Sequence, residues 1–211
     1  MRYLMILIKI ILVLVFFTPK FILGQSKSLN VTRDYAIQNK LIHYRNSIDS
    51  FHFRFSTENQ AVEIWSNDYL HFHGIFLNFT KAYNIKPEIY YSQVNSIDTF
   101  NAKYIYNLLS KSGIFQIPTQ ENIHGWQNGL DGEYYIIQYS TPKIYSYKKY
   151  WSPDAFKNIK EAVIIDSVYK QIYRVLKIGE RWSNFIGLLP IGCYEFGDGL
   201  VSCTKHKHKK K

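Results

Sequence analysis

Three side chains near the middle of the chain combine the residue types that acid–base catalysis uses. His124, Asp131 and Glu133 lie close together in sequence, beside Trp126. A histidine with two carboxylates can act as general base and general acid in a hydrolysis. The alternative is structural, because Asp131 suits a turn, Glu133 begins a strand and His124 belongs to a loop. We favour the structural interpretation, and a hydrolase that uses these three residues is the competing hypothesis.

Two histidines have the spacing of a metal site on a β-strand. His71 and His73 are two positions apart, so both side chains would project from the same face of a strand. Together with His52 on a nearby strand, they would hold zinc and leave one position for water. The spacing supplies no carboxylate partner, and a solvent-facing histidine pair is the commoner explanation of the pattern. Zinc binding through His71 and His73 is therefore a further alternative.

Two tryptophans, Trp126 and Trp151, flank a predicted hairpin. They would either line a groove for a peptide or glycan or clamp a loop onto the sheet, and we favour the clamp. Elsewhere the sequence contains no Gly-x-Ser-x-Gly elbow, no His-Glu-x-x-His and no phosphate-binding glycine loop. We therefore expect no cofactor.

The positive charge of the chain is concentrated at its two ends. Of 26 basic residues, eight lie in the first 20 and the last seven positions, so 18 basic residues face 16 acidic ones in the body. This balance argues against nucleic-acid binding. The tail of residues 205–211 is a run of like charges that we expect to be disordered. Either it is a solubilising end, or it contacts anionic lipid or polysaccharide through its lysines Lys205, Lys207, Lys209, Lys210 and Lys211.

The first segment, residues 1–24, has the layout of a secretory signal peptide. A basic start precedes an apolar run interrupted only by Lys9, and cleavage is expected after Gly24. An uncleaved membrane anchor is the alternative, but Pro19 and Lys20 end the apolar run short of the roughly 20 residues that a bilayer span needs. We therefore expect a secreted or periplasmic protein.

The only two cysteines, Cys193 and Cys203, lie in the last segment. Each is five positions from Asp198, the centre of a Gly-Asp-Gly turn between two short strand-like runs. That symmetry places the two residues opposite each other in a hairpin. In an exported protein we favour a structural disulfide between them over free thiols.

After the predicted leader, the first half of the chain has the alternation of β-strands. Three phenylalanines at residues 51–55 alternate with His52 and Arg54, so we expect the phenylalanines to face a core and the polar pair to face the other way. Residues 61–65, 69–79 and 88–94 extend this into an antiparallel meander, with Gly74 marking a bulge. Residues 33–47 fit a surface helix or an ordered linker equally well.

Two amphipathic helices are predicted to pack on the sheet. The first is capped by Ser96 and ends at Gly113, and the second begins with the pair Asn158 and Glu161 and ends at Gly179. Their apolar stripes consist of Ile97, Phe100, Tyr104, Ile105, Leu108 and Leu109 in the first helix and Ala162, Ile165, Tyr169, Ile172 and Leu176 in the second.

The stretch from residue 113 to 153 concentrates glycines, tryptophans and turn signals. A turn at residues 130–133 leads into an aromatic strand at 134–139, and a turn at 140–142 returns the chain into a strand at 144–149.

This central stretch resembles an uncharacterised family of small secreted proteins of Bacteroidetes-type bacteria. The resemblance rests on an amphipathic helix, Gly-Ile-Phe-x-Ile-Pro, Gly-Trp-x-x-Gly-Leu-Asp-Gly, two aromatic strands and Tyr-Trp-Ser-Pro, and it covers roughly residues 88–177. That family has no assigned activity, so the resemblance implies fold and compartment only.

Together these patterns predict one α+β domain at residues 25–204. We expect an antiparallel sheet with two amphipathic helices packed on it and a C-terminal hairpin closed by a disulfide. The expected role is a non-enzymatic envelope or extracellular domain with a binding or structural function, whose partner is a protein or envelope component.

Overall fold

The computed structural model describes the backbone of residues 30–32 and all atoms of residues 47–197 and 199–204. The signal peptide predicted for residues 1–24 and the basic tail at 205–211 lie outside the described residues, as do all but the last residue of the helix or linker predicted for residues 33–47.

An antiparallel sheet and three α-helices make up the described part of the chain. The strands are β1 (Asn30–Thr32), β2 (Phe51–Ser56), β3 (Gln60–Ser66), β4 (His73–Ala82), β5 (Tyr90–Ile97), β6 (Tyr134–Ser140), β7 (Tyr145–Trp151), β8 (Gly192–Phe196) and β9 (Leu200–Thr204). The helices are α1 (Thr99–Ser112), α2 (Lys160–Val175) and α3 (Ile178–Leu188). The predicted α+β class is confirmed.

The strands follow the order β1-β5-β4-β3-β2-β6-β7, and β8 joins the end of β4 and carries β9. The predicted meander of β2 to β5 is present, and every paired strand runs antiparallel to its neighbour. The β6–β7 hairpin is also present, with Ser140 opposite Tyr145. Because β2 pairs with β6, the first strand of the meander lies inside the sheet rather than at its edge.

One face of the sheet carries the core. The phenylalanines of β2 are fully buried there, as predicted from their alternation, and Phe55 stacks on Tyr169 of α2 with 5.4 Å between ring centroids. Ile105 of α1 and Ile165 of α2 belong to the same buried cluster. Burying apolar and aromatic area in this way is the main favourable term in folding.

The third strand of the meander begins later than predicted and has no bulge at Gly74. Its pairing with β3 and β5 continues without offset through Gly74, which lies opposite Ile64 and Ile97. A Cβ atom at this position would come within 2.9 Å of the Glu63 carbonyl and of Ile64. The glycine is therefore required by the close approach of neighbouring strands, not by a bulge.

Helix α1 ends at Gly113 as predicted, but its cap and its buried stripe differ from the prediction. Asp98, not Ser96, is the N-cap, and its side chain accepts a hydrogen bond from the backbone N–H of Asn101. Ser96 lies in β5, which runs on to Ile97. The predicted core residue Phe100 is 80% exposed, because the helix turns the side of Ala102, Ile105 and Leu109 toward the sheet.

The second predicted helix corresponds to α2, and α3, which follows it, was not predicted. The buried stripe of Ala162, Ile165 and Ile172 in α2 is confirmed, but Asn158 does not cap this helix, because Ile159 is the N-cap residue and no side chain bonds there. The chain turns at Lys177, which has a left-handed φ of 50°, and Gly179 lies inside α3 instead of ending a helix.

The C-terminal hairpin is closed as predicted. Cys193 and Cys203 are direct partners in the β8–β9 ladder and form a disulfide. The hairpin is fixed to the rest of the molecule by a second buried cluster of Ala82, Phe185, Leu189 and Tyr194. In the described ranges, no helix is long and apolar enough to cross a membrane.

Candidate functional site

The three residues proposed for acid–base catalysis are not joined to one another. His124 and Asp131 are exposed, and Glu133 is half-buried, where its carboxylate accepts from the backbone N–H of Glu58 at 3.4 Å. No hydrogen bond or ion pair links His124 to either carboxylate within the described ranges. The turn before β6 therefore accounts for the positions of Asp131 and Glu133.

The histidines proposed for zinc have separate partners. His71 precedes β4 instead of lying in it, and its Nδ1 is 2.6 Å from the Asp68 carboxylate. His73 stacks on Trp65, and His52 contacts two other carboxylates. In the part of the chain that the structure describes, no three His, Cys, Asp or Glu side chains converge on a point that would hold a metal ion.

The two tryptophans clamp the central loop onto the sheet, and they do not form an open groove. Trp126 is only 7% exposed and its indole N–H donates to the Trp151 carbonyl at 2.9 Å. The Trp151 ring lies directly over Gly129 and Gly132, where any Cβ atom would collide with it. The glycines of this loop therefore make room for the indole.

A network of charged side chains on the second face of the sheet was missed by sequence reasoning. His52 and Arg54 point away from the core as predicted, yet they are only 9% and 2% exposed. Arg54 donates through Nε and Nη2 to Glu63 and through Nη1 to Gln138, at 3.0 to 3.2 Å. Alternation predicts the face of a strand, but it does not reveal whether that face is covered.

His52 is held between two carboxylates in this network. Its Nδ1 lies 2.8 Å from Asp49 and its Nε2 lies 2.9 Å from Glu63. Each ring nitrogen thus lies within hydrogen-bond distance of a carboxylate oxygen. Trp65 stacks between His52 and His73, with 5.9 Å between centroids on each side. This row of rings ties β2, β3 and β4 together across the sheet.

A separate cleft lies where the C-terminal hairpin meets the end of β4. It has a volume of about 230 Å³ and a lining of aromatic and charged side chains that includes Glu58, Phe79, Lys81, Tyr90, Glu195 and Phe196. The hairpin approaches closely at Gly197, whose N–H donates to Asn59 at 2.8 Å. A Cβ atom there would come within 2.6 Å of the Glu58 carboxylate, so a larger residue at Gly197 would displace that carboxylate.

The charges of the cleft are fixed by a lysine between two glutamates. Lys81 Nζ lies 2.9 Å from Glu195 and 3.2 Å from Glu88. The hydrogen bond to Glu195, followed by that to Glu88, raises the pKa of Lys81. The pKa of Glu88 is lowered, first by the hydrogen bond from the Tyr90 hydroxyl and then by Lys81. The lysine therefore stays charged, and the carboxylates around it outnumber it.

The donors and acceptors of the cleft favour one kind of ligand. Glu58 and Glu195 present acceptor oxygens, and the rings of Phe79, Tyr90 and Phe196 supply apolar faces. A small molecule with hydrogen-bond donors, such as an amine or a sugar, matches this combination.

No protein-family description, curated protein or solved structure matched this chain.

Proposed function

We propose that this protein is an exported, non-enzymatic binding domain, and that the cleft beside the C-terminal hairpin is its binding site. The ligand is a small molecule whose hydrogen-bond donors pair with Glu58 and Glu195. The observation that carries the proposal is the lysine held between Glu88 and Glu195 at the cleft wall, because fixed charges on a concave surface orient a ligand without further ordering cost.

Export is supported by two independent features. The Cys193–Cys203 disulfide is typical of proteins from oxidising compartments. The leader-like composition of residues 1–24 is typical of a secreted or periplasmic protein. The resemblance of residues 88–177 to small secreted bacterial proteins agrees with both.

The experiment is a titration of the purified ¹⁵N-labelled protein with putrescine and, separately, with glucose, followed by NMR. We expect the amides of Gly197 and Gly199 to shift in a saturable way with at least one of the two probes. Glu195→Gln removes one charged acceptor but leaves Lys81 paired with Glu88, so it should weaken binding at least fivefold without unfolding the protein.

The matched control is Glu180→Gln on the exposed side of α3, which should bind as the parent does. The proposal is wrong if neither probe shifts the cleft amides at millimolar concentration, or if Glu195→Gln and Glu180→Gln bind equally well.

A further inference from the structure

A second concave surface lies along the outer side of α2, away from the cleft and sharing no residue with it. It is a groove of about 480 Å³ between the helix and the short 3-10 turn Pro153–Ala155. Its polar lining consists of Lys157, Lys170, Arg174, Asp166, Ser167 and Gln171. Three cations against one carboxylate make this groove positive, although the body of the chain is close to neutral.

Asp166 organises the cations of the groove. It is only 8% exposed, and its Oδ2 accepts from Lys170 at 2.7 Å and lies 3.6 Å from Lys157. The hydrogen bond to Asp166 is the main cause of a raised pKa for Lys170, and the nearby charge of Asp154 adds to it. Counting Asp154, the groove still carries an excess of one positive charge.

The second oxygen of Asp166 lacks a partner. Its Oδ1 is fully buried and accepts no hydrogen bond from any described residue. A buried carboxylate oxygen without a donor is costly, so a donor supplied by a ligand would be strongly favoured there. Lys157 approaches the other oxygen, Oδ2, and it does so loosely: its side chain is 70% exposed and the ion pair is 3.6 Å long, so it can move at small cost.

A ligand of this groove must therefore meet two requirements. It needs a negative group for Lys157, Lys170 and Arg174, and next to it a neutral donor for Asp166 Oδ1. A sulfate dianion has no donor, so it cannot supply a hydrogen bond to Asp166 Oδ1. An ammonium donor would be repelled by the three cations. A carboxylated sugar meets both requirements, because its ring hydroxyls adjoin its charge.

We propose that the α2 groove binds an acidic saccharide of the hexuronate type. The carboxylate of the sugar pairs with the lysines and Arg174, while an adjacent hydroxyl donates to Asp166 Oδ1. Ser167 and Gln171, which are hydrogen-bonded to each other at 3.3 Å, supply further donors and acceptors along the groove. Asp166 acts as the positioning residue for Lys170.

The test uses the full chain and tetragalacturonate as probe, with calorimetry at 50 mM and 300 mM salt. We expect the double variant Lys157→Ala/Lys170→Ala to bind at least tenfold more weakly. The matched control, Lys103→Ala/Lys143→Ala, removes the same charge from exposed positions outside the groove and should leave affinity within twofold.

The variant Asp166→Asn distinguishes a site with positioned contacts from non-specific electrostatic attraction. If charge alone held the saccharide, removing this carboxylate would strengthen binding. In a positioned site, Lys170 loses its anchor and we expect binding at least fivefold weaker. Should Asp166→Asn fail to fold, the exposed lysine pair still decides the matter.

Three outcomes would overturn the proposal. The first is equal loss in the groove and control lysine pairs. The second is equally tight binding of inorganic sulfate or of fully methyl-esterified tetragalacturonate, which has lost its charge. The third is binding to phosphatidylglycerol vesicles without binding to the saccharide. None of these results bears on the hairpin cleft, whose probes and residues are different.

Discussion

Arg54 shows at the scale of single residues how a charge is kept inside this protein. The side chain is almost fully buried, and its guanidinium donates to both Glu63 and Gln138. Bidentate geometry of this kind offsets much of the cost of removing a guanidinium from water. Glu63 also lies 2.9 Å from His52, so one carboxylate contacts both side chains.

Replacing Glu63 by glutamine should therefore be strongly destabilising. The amide keeps the size of the side chain but leaves Arg54 and His52 without their shared negative charge. Breaking a buried pair from one side typically costs about 3 kcal/mol. Urea unfolding at pH 7 would measure the loss, with the exposed Glu180→Gln as control, which should stay within about 0.5 kcal/mol of the parent. Equal midpoints for the two variants would contradict this account of the network.

At the scale of elements, the central loop is held to the β6–β7 hairpin by one indole and the glycines beneath it. Trp151 packs over Gly129 and Gly132, and Ser152 exchanges hydrogen bonds with the backbone of Glu133. The φ angle of Gly132 is not in the left-handed region, so its role is to leave space rather than to bend the chain.

Alanine at Gly132 should consequently destabilise the loop by about 2 kcal/mol, because the new methyl group would meet Trp151 and Ser152. Gly187 in α3 has nothing within 4 Å of its own Cβ position. Alanine at that helical position should stabilise the protein by about 0.5 to 1 kcal/mol. Thermal unfolding should show a lower melting temperature for Gly132→Ala and a higher one for Gly187→Ala. Destabilisation by Gly187→Ala would refute the reasoning.

The whole molecule has an aromatic core in which several tyrosine hydroxyls are shielded from water. Burial raises the pKa values of Tyr135, Tyr150 and Tyr169 well above that of a free tyrosine. In the unfolded chain these groups lose their protons near pH 10. The folded state holds the protons at pH values where the unfolded state releases them. The associated stability is complete below about pH 10 and is lost as pH rises beyond it.

The free energy of unfolding should therefore fall steeply as pH rises above about 10. It should fall less steeply when one buried tyrosine is removed. Each such group adds about 1.4 kcal/mol per pH unit to the slope of stability against pH. Tyr169→Phe should reduce the slope by that amount between pH 10 and 11.5. Tyr104→Phe, at an exposed position on α1, should leave it unchanged. Urea titrations at half-unit pH steps would reveal the difference, and identical slopes would exclude this explanation.

Local sequence patterns predicted most of the helices and strands, but few of the contacts between them. The alternation of β2, the apolar stripe of α2 and the symmetric cysteines each depend on neighbouring residues, and each was predicted correctly. Phe100 was misplaced because α1 buries the side that carries Ala102, Ile105 and Leu109, and Phe100 lies on the opposite side of the helix. Gly179 was wrongly predicted to end the second helix. The chain turns instead at Lys177, which adopts the left-handed conformation although lysine is not a typical turn residue.

Two of the candidate sites are formed by residues that are far apart in sequence, so no local sequence pattern could predict them. The cleft brings residues 58–59 beside residues 195–197 and 199, and the charged network brings Gln138 to Arg54. Both arise from pairings between strands far apart in sequence. The α2 groove was more accessible to prediction, because Asp166 and Lys170 are spaced for contact on a helix.

The pairing of β2 with β6 has a consequence for how the chain reaches its fold. The ladder joins Ser56 to Ile136 and thus closes a loop of about 80 residues, whereas β2 and β3 are joined by a short turn. Loop closure makes the distant pairing the slower one, so the meander should assemble first with one side of β2 still bare. An unpaired strand edge is a template for another chain. The interval before β6 arrives is therefore when this protein is most exposed to aggregation, and the buried phenylalanines of β2 lie at the edge that is then open.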